Sequence, residues 1–221
     1  MRFLCIGDSL GLPRDRCPYE STWFYKLREA FPQHEFINFF TRGLVITEAI
    51  NQYDLYFRYY NPDIVVIQTG VCDCAPRYIN VRRISWIILK KICMSLKSEA
   101  LFWKFVKLKG RSEHCVYTPI DIFQQNFEML IKKFIEEGSC KKIFVVLIGK
   151  STDDIIEKNK YFNKNVDRYN MVIKSITEKY KDIVTVLDPL GNPCNEIYTD
   201  GYHCNEIGMS LVFNDIKRYI E

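Results

Sequence analysis

The stretch Ile64-Val65-Val66-Ile67 constrains the fold of this chain most strongly. Four consecutive β-branched residues predict a strand that is buried on both faces, and the strand ends at Gly70. A second apolar run, Ile143-Phe144-Val145-Val146-Leu147-Ile148, follows further along the chain. Strands covered on both faces are typical of parallel sheets that lie between two layers of helices.

Predicted strands and helices alternate on both sides of these two runs. The predicted strands are Arg2–Ile6, Glu35–Phe39, Asp63–Thr69, Lys142–Ile148 and Ile183–Leu187. The predicted helices are Glu20–Ala30, Thr47–Tyr59, a helix ending at about Glu137, Asn165–Lys181 and Asn205–Ile220. For the third helix, Thr118 fits the N-cap and Pro119 the first helical position. We expect an α/β fold, a single domain over residues 1–221: a three-layer, flavodoxin-like arrangement with a mostly parallel sheet of about five strands.

Composition narrows the class of protein. The 221 residues are 48% hydrophobic, which fits one domain with a full core, and no apolar run approaches the length of a spanning helix. The N-terminus lacks a signal-peptide pattern, so we expect a cytoplasmic protein. The nine cysteines are an odd number and are expected to be reduced thiols. Because Cys72-Asp73-Cys74 does not have a zinc-ligand spacing, no metal site is predicted.

Residues 78–120, the basic insert, interrupt the connection that follows the third strand. Nine basic and two acidic residues give this segment a charge of +7, whereas the whole chain has +4. Apolar positions 84, 88, 92 and 96 predict a helix, and a second short helix is expected after Ser98. Residues 82–108 could form a lid, contact an anionic membrane peripherally, or pack against a second subunit as a homo-oligomer. A nucleic-acid partner is disfavoured because the cations alternate with bulky aliphatic residues.

Four candidate site segments follow the predicted strands: Gly7-Asp8-Ser9-Leu10, Gly43, Gly70 to Asp73, and Asp200-Gly201-Tyr202-His203. The carboxyl ends of parallel strands meet at one edge of a sheet, so these segments are expected to come together. A serine nucleophile needs a base, and the base needs a group that orients it. Ser9, His203 and Asp200 supply one residue of each kind.

In these blocks, and over nearly its whole length, the chain resembles the SGNH/GDSL hydrolase family. The resemblance implies that Ser9 attacks an ester, that His203 is the base and that Asp200 orients His203. It also implies that the backbone N–H groups of Ser9 and Gly43 form the oxyanion hole. Cys72 stands where the family usually has an asparagine that donates to the oxyanion, and a thiol is a weak donor.

Two further residues beside this block are expected to contact the substrate. Arg77 could replace the missing oxyanion donor or bind a carboxylate or phosphate of the substrate, and Asp73 is expected to lie beside it. The alternative for Arg77 is a structural ion pair with Asp73.

The expected activity is that of a serine esterase that removes an acyl group, an acetyl group by preference, from a carbohydrate or another small substrate. Polysaccharide biosynthesis is the expected context, and the basic insert favours an acidic substrate. No metal or organic cofactor is expected. Two alternatives are an O-acyltransferase that uses the same triad and a non-catalytic glycan-binding protein that keeps the fold.

Overall fold

The computed structural model describes residues 1–95, 98–108 and 110–220. Its strands are β1 (Arg2–Gly7), β2 (Glu35–Phe40), β3 (Ile64–Gln68), β4 (Lys142–Val146) and β5 (Val184–Leu187). Its helices are α1 (Trp23–Ala30), α2 (Ile46–Leu55), α3 (Val71–Cys74), α4 (Ile84–Ser95), α5 (Glu99–Leu108), α6 (Ile120–Glu136), α7 (Asp153–Lys158), α8 (Phe162–Lys179) and α9 (Glu206–Lys217).

The five strands form one sheet in the order β2-β1-β3-β4-β5, and every neighbouring pair is parallel. The predicted parallel sheet is therefore confirmed. The strand order reverses between β1 and β3, which are hydrogen-bonded neighbours. In open α/β sheets, ligands bind in the crevice at this reversal, beyond the carboxyl ends of the strands.

Successive side chains of each strand point to opposite faces of the sheet, so the hydrophobic core has two layers. Leu4 and Ile6 of β1 point to one face and pack with α2, α6 and α8. Phe3 and Cys5 point to the other face and pack with α1 and α9. The central strands are fully buried because helices cover both faces, and this explains their continuous apolar sequence.

Two local predictions differ from the structure. The prediction that Thr118 caps α6 is wrong, because Pro119 is the N-cap residue and the Thr118 hydroxyl donates to Asp73 Oδ1 at 2.5 Å. Helices α3 and α7 were not predicted, because their four and six residues are too few to show a helical period. At Thr118, a tertiary hydrogen bond rather than the local sequence determines the conformation.

The basic insert contains the two expected helices, α4 and α5. They enclose a small cluster of Ile79, Phe102 and Val106, separate from the main core. Backbone pairing closes the base of the insert, since Arg77 N–H donates to the Cys115 carbonyl at 2.8 Å. Three residues that contribute to the sequence predictions lie outside the described residues: Leu96 of the predicted helix, and Lys97 and Lys109, two of the nine basic residues of the insert.

None of the described helices is both long enough and apolar enough to cross a membrane.

Candidate active site

Ser9 lies immediately beyond β1 and begins a single 3-10 turn, Ser9–Gly11. The Asp8 side chain fixes this turn, because its Oδ1 accepts a hydrogen bond from Leu10 N–H at 2.9 Å. The Asp8 N–H donates to the Gln68 carbonyl of β3 at 3.2 Å. The Ser9 hydroxyl is thereby held at the reversal between β1 and β3.

Asp200 and His203 come from a tight loop that precedes α9. Thr199 N–H donates to the His203 carbonyl at 2.8 Å and closes the loop. Gly201 has a φ of +94°, and a Cβ there would lie 2.5 Å from Ile155, so the loop requires glycine. Asn205 then caps α9 by accepting from two of its first N–H groups.

These two segments bring Ser9, His203 and Asp200 into one hydrogen-bonded chain. Ser9 Oγ lies 3.1 Å from His203 Nε2, and His203 Nδ1 lies 2.7 Å from Asp200 Oδ2. The other oxygen of Asp200 accepts from the His203 backbone N–H at 3.0 Å. Because an ionised carboxylate only accepts, Nδ1 carries the imidazole proton and Nε2 is left to accept from the serine hydroxyl.

Burial and charge set the protonation of this chain. Burial lowers the pKa of His203 below 6.5, and the nearby cations Arg14 and Arg42 add to the effect while Asp200 opposes it. Burial alone would raise the pKa of Asp200, but its hydrogen bonds from His203 outweigh burial and lower that pKa. His203 is therefore neutral, and able to act as a base, in neutral solution.

Arg14 is a candidate functional residue that no sequence motif marks. Its guanidinium donates to the Ser9 carbonyl, and it is one of the cations that lower the pKa of His203. It lies in the loop after the Ser9 turn, where the backbones of Arg14 and Cys17 pair. The position of Arg14 depends on how this loop packs against the segment that carries His203, so a local sequence pattern does not reveal it.

The expected oxyanion donors lie at the ends of β1 and β2. The backbone N–H groups of Ser9 and Gly43 have no hydrogen-bond partner among the described residues. Gly43 has a φ of +79°, a left-handed conformation that favours glycine. Arg82 of the basic insert holds this loop by donating to the Gly43 carbonyl at 2.7 Å.

Cys72 lies in α3 beside Ser9 and lines the same cavity. Burial, reinforced by the charges of Asp8 and Asp73, raises the pKa of the Cys72 thiol to about 12. A thiol with this pKa is neutral at physiological pH and is neither a nucleophile nor a strong donor.

The structure separates the two residues that were expected to contact the substrate. Asp73 is completely buried and does not line the cavity. Its Oδ1 accepts from Ile46 N–H at 3.0 Å and from Thr118, so it ties α3 to α2 and to the start of α6. Asp73 is thus a structural residue, against the expectation of substrate contact, because the strand-end turn points it inward.

Arg77 lines the cavity and is not paired with Asp73. Its guanidinium carbon lies 3.8 Å from the centre of the Tyr117 ring, a cation–π arrangement. The alternative of an Arg77–Asp73 ion pair is therefore wrong.

The cavity beside Ser9 has a volume of about 500 Å³. The α3 turn, the basic insert and the α7–α8 segment form its walls, with Tyr202 beside His203. The Tyr202 ring lies against the His203 ring, with centres 4.1 Å apart. Much of its lining is apolar and aromatic: Val71, Ala75, Trp103, Tyr117, Phe162 and Tyr202. Trp103 and Phe162 were not predicted, because they come from segments remote from any strand end.

In the part of the chain that the structure describes, no group of three or more His, Cys, Asp or Glu side chains could hold a metal ion.

Comparison with known structures shows the same fold. A lipase/acylhydrolase from Enterococcus faecalis has 14% sequence identity and a TM-score of 0.67, over 100% of this chain and 95% of that chain. A psychrotrophic esterase from Pseudoalteromonas sp. has 14% identity and a TM-score of 0.62, over 99% and 98%. An acetylxylan esterase from Geobacillus stearothermophilus has 13% identity and a TM-score of 0.65, over 99% and 93%.

No curated protein matches the sequence. The family described as GDSL-like lipase/acylhydrolase matches residues 3–216, nearly the whole chain. Together with the fold, this match shows that the chain belongs to the GDSL-like lipase/acylhydrolase family of carboxylic ester hydrolases.

Proposed function

We propose that the protein hydrolyses an acetyl or other short acyl ester on a carbohydrate or a similarly sized small molecule, with Ser9, His203 and Asp200 as its catalytic triad. The observation that carries this proposal is the continuous hydrogen-bonded chain from Asp200 through His203 to Ser9, which ends at a cavity. A serine paired to a neutral, oriented imidazole is the arrangement that activates a hydroxyl for acyl transfer.

The reaction follows from this geometry. Ser9 Oγ attacks the acyl carbon while His203 Nε2 takes its proton, and Asp200 stabilises the resulting imidazolium. The oxyanion forms facing the N–H groups of Ser9 and Gly43. His203 then protonates the leaving alcohol, and the acyl group stays on Ser9. Water, deprotonated by His203, releases the acid and restores the serine.

The cavity supports a substrate larger than the acyl group alone. At about 500 Å³, it has the size of sites that enclose small organic ligands. Trp103, Tyr117 and Tyr202 give it aromatic surfaces of the kind that pack against the apolar faces of sugar rings. Acetylxylan esterases are among the structural neighbours.

Two measurements on wild type and Ser9→Ala test the proposal. A fluorophosphonate probe reports an activated serine without reference to the substrate, and we expect it to label the wild type only. A panel from nitrophenyl acetate to acetylated monosaccharides then reports turnover, which we expect to be lost in Ser9→Ala. Ser210→Ala, which changes a serine of α9 outside the site, is the matched control and should keep both signals.

Absence of labelling in the wild type would refute the assignment of Ser9. Labelling with transfer of the acyl group to an added sugar, in preference to water, would instead identify an O-acyltransferase that uses the same acyl-enzyme.

A further inference from the structure

The cavity beside Ser9 carries an unbalanced positive charge. Arg77, Arg111 and Lys158 line it, and none of the described residues that line it is an Asp or a Glu. The three cations come from separate segments: the end of α3, the return arm of the basic insert, and the end of α7. Their convergence is therefore a property of the folded cavity rather than of a local run of basic sequence.

None of these three cations has a carboxylate partner among the described residues, whereas nearby cations do. Arg82 pairs with Glu48 at 2.7 Å and Lys164 pairs with Glu113 at 2.6 Å. Arg77 instead lies against Tyr117, and the Arg111 guanidinium carbon lies 4.9 Å from the centre of the Tyr78 ring. Aromatic rings orient a guanidinium without neutralising it, so both remain available to an anion.

Two buried polar atoms of the same cavity have no hydrogen-bond partner in the described structure. One is Arg77 Nε, a donor, and the other is Oδ1 of Asn159, an acceptor on a residue that is only 4% exposed. Buried polar atoms are nearly always paired, because an unpaired one keeps its full desolvation cost. A ligand with both an anionic oxygen and a hydroxyl group would satisfy both atoms.

We propose that the substrate is an ester that carries a carboxylate or phosphate group, which Arg77, Arg111 and Lys158 bind while Ser9 attacks the acyl carbon. The inference rests on the esterase function proposed above. Arg77 supplies a planar pair of donors and Lys158 a point charge, a combination suited to either anion. A second cavity shares Arg111 and Lys158 and adds Lys107 and Lys160, with Glu157 as its one described acid. The positive surface thus continues outward.

The test compares three matched esters: monoacetylated glucose, monoacetylated glucuronic acid and monoacetylated glucose 6-phosphate. We expect kcat/KM for at least one charged ester to exceed that for the neutral ester by about tenfold or more at low salt. Raising the ionic strength should reduce this ratio. Glucose 6-phosphate or glucuronate should inhibit competitively, and glucose should not. Inhibition by glucose 6-phosphate would indicate that the cavity binds a phosphate group, and inhibition by glucuronate that it binds a carboxylate.

Variants identify the residues responsible. Arg111→Gln and Arg77→Gln should each lower the charged-to-neutral ratio by about tenfold, the range of one charge-assisted hydrogen bond. Lys104→Gln removes an exposed cation of α5 that does not line the cavity, and it should keep the wild-type ratio. Equal kcat/KM for charged and neutral esters, with Ser9 still labelled by the fluorophosphonate, would overturn this inference and leave the esterase assignment intact. Loss of Ser9 labelling would overturn the esterase assignment itself.

A second inference rests on a different observation, the outer surface of α4 and α5. Nine large apolar side chains of the two helices are exposed, including Ile87, Leu89 and Met94 of α4. We call the other six the insert face: Ile84, Ile88, Ile92, Leu101, Phe105 and Leu108. On each helix they recur at intervals of three or four residues and so form a stripe. Exposures of 69% for Phe105 and 80% for Leu108 are unusual for groups that gain free energy from burial.

The charge around the insert face favours an anionic lipid surface over a second copy of the chain as its partner. The described charged residues of α4 and α5 are Lys90, Lys91, Lys104 and Lys107, with Glu99 as the acid. Two copies of this surface would bring like charges together, whereas anionic lipid would attract them. We propose that the insert face lies on an anionic membrane surface, with its apolar stripes inserted among the lipids.

Vesicle sedimentation tests this second inference. We expect the full chain to sediment with phosphatidylglycerol-containing vesicles and to stay in solution with pure phosphatidylcholine. Ile88→Asp and Phe105→Asp should each reduce binding several-fold. Met171→Asp, at an equally exposed position of α8, is the control and should not. Light scattering on the free protein gives the alternative: a dimer that dissociates in Ile88→Asp, without vesicle binding, would overturn the membrane assignment. A monomer that binds neither vesicle would also overturn it.

Discussion

The His203 imidazole lies between groups that act on its pKa in opposite directions. Burial lowers that pKa first, Arg14 and Arg42 lower it further, and the hydrogen bond to Asp200 raises it. The net result is a pKa below the ordinary value of 6.5. Because only the neutral imidazole accepts the proton of Ser9, the lowered pKa widens the pH range in which His203 can act as the proposed base.

The pH profile of kcat/KM should show this directly. We expect activity to fall on the acid side with an apparent pKa below 6.5, as His203 becomes protonated. Arg42→Gln removes a cation that disfavours the imidazolium, so it should move this acid limb to higher pH. Arg42→Lys keeps the charge and should leave the limb in place. An acid limb above 6.5 in the wild type would contradict the assigned environment of His203.

The Cys72 thiol raises a separate question about oxyanion support. Since its pKa is about 12, it faces the cavity as a neutral and weakly donating group. An oxyanion donor typically contributes about 10²–10³ in kcat, and the proposed active site lacks one such contribution.

Cys72→Asn should therefore raise kcat, by about tenfold or more, because an amide N–H donates more strongly than a thiol. Cys72→Ala should change kcat by less than about threefold, since little donor strength is lost. Steady-state kinetics on nitrophenyl acetate measures both. A loss of about 10²–10³ in kcat for Cys72→Ala, the cost of a missing oxyanion donor, would instead show that the thiol itself stabilises the oxyanion.

Between elements, Arg82 connects the basic insert to the loop that carries Gly43. One guanidinium nitrogen donates to Glu48 at 2.7 Å and the other to the Gly43 carbonyl at 2.7 Å. Glu48 in turn accepts from Val45 N–H at the start of α2. The insert therefore restrains the backbone that presents the Gly43 N–H, the second proposed oxyanion donor.

Arg82→Ala should lower kcat by about tenfold and change KM less, because the Gly43 N–H is then held less firmly. Its unfolding free energy should change little, since Arg82 and Glu48 are partly exposed. Arg83→Ala, at the next position, is the matched control and should keep wild-type kcat. A similar loss of kcat in both variants would show that the insert as a whole, rather than the Arg82 hydrogen bonds, supports activity.

Across the whole molecule, two buried carboxyl groups connect folding to pH. Asp8 and Asp73 lie beneath the carboxyl ends of β1 and β3, and burial raises the pKa of each to about 7. The unfolded chain releases these protons near pH 4, whereas the folded chain keeps them to about pH 7. Proton binding thus favours the folded state at low pH, and stability falls as pH rises between these values.

Asp73→Asn should flatten this dependence. The amide oxygen still accepts from Ile46 and Thr118, and no charge needs to be buried at higher pH. Urea unfolding at pH 5 and pH 8, within and above this window, should show a smaller loss of stability for the variant than for the wild type. Asp121→Asn, at the exposed first turn of α6, should behave as the wild type does. A variant with an unchanged pH dependence would show that Asp73 is ionised in the folded protein.

Much of the architecture follows from local sequence patterns. Continuous apolar runs such as Ile64-Val65-Val66-Ile67 predict strands buried on both faces, and the alternation with helices then requires parallel connections. Ser9, Asp200 and His203 could be proposed as a triad from the sequence, because each follows a predicted strand, such ends converge at one edge, and their blocks resemble those of the SGNH/GDSL family.

Contacts between distant segments were not predictable in this way. Asp73 points into the core and Arg77 into the cavity, although they are four residues apart, because Thr118 and Tyr117 meet them from the far end of the insert. The same holds for Arg14 against Ser9, and for Arg111 and Lys158 in one cavity. Periodicity and motif order therefore predict the strands and the proposed triad, whereas side-chain direction and charge environment depend on packing between residues remote in sequence.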